Sequence, residues 1–182
     1  MEVGKKAPDL LSGVKKITYK SKPLKCPYKG ALLVVGIRIK EIKQNAYLQP
    51  KDSGMCGNYA VANLLNIMPE AAIIAFKCTG TNNRKGGTTT KQVAKALKWL
   101  GYQCDERMKI VKPGTIYPDY CLIAIGWFGP AISSGLRRET AAHWIAYKKG
   151  MVICSGAGIY TSLKEYTETN RGYAYGYLEV KK

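Results

Sequence analysis

Beginning at Cys56, apolar residues recur at helical spacing. Ala60, Val61, Leu64, Leu65 and Met68 share one face, which predicts a helix ending before Pro69. Pro69 suits the first turn of a second short helix over Glu70–Lys77. A third helix starts at Thr89, which forms a capping box pattern with Gln92. Val93, Ala96, Leu97 and Leu100 give it a buried face, and Gly101 a stop. Strand-like runs precede and follow these helices. Ala31–Ile39 is rich in Val and Ile, and Tyr102–Val111 and Tyr120–Phe128 are separated by Pro113-Gly114 and Pro118. His143–Ser155 predicts a hairpin turning at Lys149-Gly150. Tyr173–Val180 alternates, with Ala174, Gly176, Leu178 and Val180 on one face and Tyr173, Tyr175 and Tyr177 on the other. Helices followed by an antiparallel sheet make an α+β domain, predicted over residues 30–182 behind a basic arm at 1–29.

Composition narrows the class. A chain of 182 residues that is 46% hydrophobic and 23% charged suits one folded globular domain with room for a small appendage. No apolar run reaches membrane-spanning length, and the N-terminal residues lack the apolar core of a signal peptide. The expected location is therefore cytoplasmic, or the virion or host cytoplasm for a viral chain. The 6 cysteines (Cys26, Cys56, Cys78, Cys104, Cys121 and Cys154) include no Cys-x-x-Cys pair, and with 1 histidine they argue against structural zinc. No cofactor is expected. Free thiols are expected at most positions, with Cys104, Cys121 and Cys154 as small buried hydrophobes in strand-like runs.

The formal net charge of +17 is the second outlier, and it attracts polyanions. Lys5, Lys6, Lys15, Lys16, Lys20, Lys22, Lys25 and Lys29 concentrate it in the arm, and Arg84, Lys85, Arg137 and Arg138 add to it in two loops. Nucleic acid or an acidic membrane face is the implied partner; a merely lysine-rich surface is the plain alternative.

The candidate chemistry centres on Cys56 and His143. Cys56 stands at the start of the first predicted helix, where the helix N-terminus favours thiolate over thiol. Gly54 lets the preceding loop turn, and Gly57 leaves space beside the sulfur for a substrate backbone. The Cys56 amide and the Gln49 side chain are candidate oxyanion donors. A nucleophilic cysteine needs a base, and His143 is the one imidazole in the chain. Trp144 beside it suits the wall of a narrow cleft. Counting back from the Lys149-Gly150 turn sets His143 opposite Ser155 or Gly156. Ser155 is the candidate to orient the ring, with a backbone carbonyl or no orienting group at all as the alternatives. Asp52 and Asn58 lie near Cys56 without an evident route to His143.

The run Gln49…Cys56-Gly57-x-x-Ala60-x-x-x-Leu64, with His143 on a late strand, resembles the papain-like cysteine peptidases. It is closest in style to the compact peptidases that process bacteriocin leaders and to small viral or bacterial members. The resemblance covers roughly residues 45–160 in element order. It implies a papain-like fold, with Cys56 as nucleophile, His143 as base and Gln49 in the oxyanion hole. Two departures stand out. Gln49 lies one residue further from Cys56 than is common in that family, and Ser155 stands nearest to where an Asn or Asp would orient the histidine. The expected activity is cleavage of a peptide or isopeptide bond through a Cys56 thioester. The alternatives are a weakly active or inactive basic protein that binds nucleic acid or a virion component, and another acyl transfer by the same pair.

Overall fold

The computed structural model describes residues 46–51, 53–81, 87–127 and 142–182. The basic arm, the expected strand Ala31–Ile39, Asp52, Arg84, Lys85, Arg137 and Arg138 lie outside them. The described residues form helices α1 (Cys56–Leu65), α2 (Pro69–Cys78), α3 (Thr90–Trp99) and α4 (Leu163–Asn170). The strands are β1 (Lys109–Ile110), β2 (Tyr120–Trp127), β3 (His143–Lys148), β4 (Met151–Cys154), β5 (Gly158–Tyr160) and β6 (Gly172–Glu179). The strands make one antiparallel sheet in the order β1-β6-β2-β3-β4-β5. The α+β class read from the sequence is the class observed.

Helix α1 is enclosed on nearly every side, because it packs on β3 and also against α2. Small residues make this possible: Gly57, Ala60 and Ala62 let neighbouring elements approach closely. It ends earlier than its apolar pattern suggests. Asn66 adopts the left-handed conformation (φ 54°), and Ile67 donates its amide to the Ala62 carbonyl. Met68 therefore leaves the α1 face, lies 55% exposed and precedes α2. The capping box of α3 forms as expected: the Gln92 amide donates to Thr89 Oγ1, and the Thr89 amide to Gln92 Oε1 at 2.8 Å.

The sheet has two covered faces. One packs under α1–α3 through Leu122, Ala124, Trp144, Ala146, Ile153 and Leu178. The other carries Ile123, Ile145, Val152 and Cys154 against Tyr166 of α4. Lys149 (φ 50°) and Gly150 (φ 91°) make the tight turn between β3 and β4.

Strand β6 does not keep the strict alternation its sequence suggests. Gly176 pairs with Ala124, but Ala174 pairs with Ile125, so Tyr175 is an extra residue in a bulge. Tyr175 thereby joins Leu178 on the α1 face, while Ala174 and Tyr177 share the other. The strand expected over Tyr102–Val111 is reduced to the two-residue β1 and a single bridge between Gln103 and Lys181. Cys78 is disulfide-bonded, against the expectation of free thiols, whereas Cys56, Cys104, Cys121 and Cys154 are free. No described helix is long and apolar enough to cross a membrane.

Candidate active site

The head of α1 meets the opening of β3. Gly54 turns the loop at φ 64°, and Cys56 is the first residue of the helix. Met55 supplies no side-chain cap, so the first-turn amides are left to other acceptors. Burial pushes the Cys56 thiol above its ordinary range. Hydrogen bonds from the backbone amides of Trp144 and Gly57 pull it back, and the nearby Cys154 thiol adds to the rise. The Trp144 contact matters most for the site, since that amide belongs to the residue after His143.

His143 opens β3 and is 8% exposed. Burial lowers its pKa to about 4, so the ring is neutral at neutral pH. Its Nε2 lies 3.3 Å from Cys154 Sγ. That sulfur also accepts from the Gly156 amide at 3.4 Å and lies 3.6 Å from the Tyr166 hydroxyl.

Ser155 is placed differently from its expected role. Its hydroxyl donates to Gln49 Oε1 at 3.2 Å, and its carbonyl accepts the Gln49 amide at 2.8 Å. Strand alternation explains this. Ala146 pairs with Ile153, which extrapolates to Ile145 opposite Cys154 and His143 opposite Gly156. Directly opposite residues share a face, so His143 shares its face with Cys154, and Ser155 turns to the other. Gln49 is thus tied to the end of β4 by two hydrogen bonds. With Oε1 so occupied, its NH2 group is the end available to a ligand.

Two surroundings differ from the sequence reading. Thr88 takes the space beside Gly57, where an added Cβ would collide with its hydroxyl. Trp144 is 5% exposed within the α1-face core, and its indole N–H donates to the Thr88 carbonyl at 2.9 Å. Gly57 and Trp144 therefore pack the helix against the loop before α3 rather than line a substrate groove. Asn58 is fully buried, and its side-chain amide has no partner among the described residues; nothing in the structure explains it.

Sequence reasoning missed Cys154 and Tyr166. Cys154 reads as a core hydrophobe in a strand, and only its same-face parity with His143 would have marked it. Tyr166 sits on a helix whose signal was present: Ser162 accepts from the Glu165 amide, a spacing readable as a helix start. Among the described residues, no group of three or more His, Cys, Asp or Glu gathers to hold a metal ion. Compared with known protein families, curated proteins and solved structures, the chain matches none.

Proposed function

We propose that the chain is a papain-like cysteine peptidase or isopeptidase, with Cys56 as nucleophile and His143 as base. The observation that carries the reading is the hydrogen bond from the Trp144 amide to the Cys56 sulfur, which joins the head of α1 to the residue beside His143. Neutral His143 takes the Cys56 proton as the sulfur attacks a peptide carbonyl. The Cys56 amide and the Gln49 NH2 group then serve the developing oxyanion. Protonated His143 returns its proton to the leaving amine, and water admitted to the thioester releases the acid. Gln49 fits this role because Ser155 holds it by both backbone and side chain.

Because burial favours the neutral forms of both groups, the resting pair is thiol and imidazole, and the charge pair forms only as the proton moves. The test is iodoacetamide labelling mapped by peptide mass. Cys56 is expected to react faster than the half-buried Cys104, and His143→Ala to slow Cys56 alone. Substituting Cys56→Ala should remove the fast label together with any peptidase activity. Labelling of Cys56 no faster than Cys104, or unchanged by His143→Ala, overturns the reading.

A further inference from the structure

The hydrogen-bonded partner of His143 Nε2 is a thiol, and its surroundings bear on which way that bond runs. Cys154 lies at the end of β4 and is 2% exposed. The Gly156 amide can only donate, so its 3.4 Å contact makes the sulfur an acceptor. The Tyr166 hydroxyl oxygen, 3.6 Å away on α4, can accept the Cys154 S–H. A thiol that gives its proton there keeps a lone pair for one donor besides Gly156, and donating strengthens it as an acceptor. His143 Nε2, at 3.3 Å, is placed to be that donor.

We infer that Cys154 is the positioning residue of His143: its sulfur accepts the Nε2–H bond, fixes the ring, and leaves Nδ1 as the basic nitrogen. The inference rests on the peptidase reading for its purpose, although not for its geometry. An imidazole with its proton on Nε2 carries its lone pair on Nδ1, the tautomer a base needs when Nε2 is the anchored end. Ser155 is committed to Gln49, and it lies on the other face of the sheet. Among the described residues, Cys154 of β4 touches the ring at Nε2, Tyr166 of α4 lies against that sulfur, and Tyr160 of β5 is stacked edge-on against Tyr166 at 5.0 Å; Cys56 of α1 interacts electrostatically with Cys154 and Tyr166.

The reversed arrangement, in which the Cys154 thiol donates to Nε2, would put the ring proton on Nδ1. Since the chain has 1 histidine, ring nitrogen-15 spectra of the full-length protein read the tautomer without assignment. The Nε2–H tautomer is expected in the wild type, and the Nδ1–H tautomer overturns the inference. The second measurement is the rate of Cys56 alkylation by iodoacetamide. Cys154→Ala is expected to slow it at least about tenfold at neutral pH, and Cys154→Ser, which keeps an acceptor, to restore part of the loss. The Cys154→Ala/His143→Ala double variant should react no more slowly than His143→Ala alone, since Cys154 acts through the ring. A wild-type rate in Cys154→Ala, or additive losses in the double variant, overturns the inference. If Cys154→Ala fails to fold, Cys154→Val, which also lacks an acceptor, is compared with Cys154→Ser on the same criterion. Failure of the peptidase reading shows separately, as a Cys56 that is unreactive in the wild type whatever the tautomer.

Discussion

His143 is held neutral by its surroundings, and that has a thermodynamic consequence. Burial lowers its pKa to about 4, whereas an unfolded histidine titrates near 6.5. Between those values the unfolded chain binds a proton that the folded chain does not. Stability from this residue is therefore complete above pH 6.5 and falls as the pH drops toward 4, by roughly 3 kcal/mol in total. Urea unfolding of the wild type and of His143→Gln at pH 7 and pH 4.5 checks this, with the variant expected to lose less on acidification. Equal losses would show that the ring is protonated inside the fold. At this scale the sequence marks Cys56 and His143 as candidates, because a helix-start cysteine and a single imidazole are identifiable without knowing the fold. It did not reveal Cys154, whose side-chain face depends on a strand register. Ser155 seemed nearer the expected third position, yet one residue along a strand reverses the side of the sheet.

Among elements, α3 was the most legible. Its cap, its buried stripe and its glycine stop all lie within the segment that folds, so local chemistry decides it. Thr89→Ala should remove the reciprocal cap with Gln92 and lower stability by about 1 kcal/mol, read from a urea or thermal melt. An unchanged melt would mean that tertiary packing alone holds the helix start. The β3–β4 hairpin was equally readable, because two successive left-handed residues define its turn. Strand β6 was not. Its sequence alternates without a break, and the bulge at Tyr175 arises from pairing with β2 rather than from anything in β6 alone. Helix α4 was overlooked despite the Ser162 and Glu165 pattern, because only one of its residues, Tyr166, is fully buried. That one residue is the one against Cys154.

For the molecule as a whole, the net charge of +17 predicts binding to polyanions independent of the thiol chemistry. If about six phosphates are contacted, affinity for duplex DNA should fall roughly a thousandfold between 50 and 200 mM salt. Fluorescence anisotropy on the wild type and Cys56→Ala should give the same steep dependence. Binding that ignores salt, or fails at low salt, would leave the charge as a solvated surface. The surroundings of Cys56 also set an order of events during synthesis. The thiol is made before the β3 amide, the β4 sulfur and the α4 hydroxyl that interact with it. Until those segments leave the ribosome, Cys56 is an ordinary solvent-facing thiol. That delay leaves its sulfur open to oxidants before the fold closes over it.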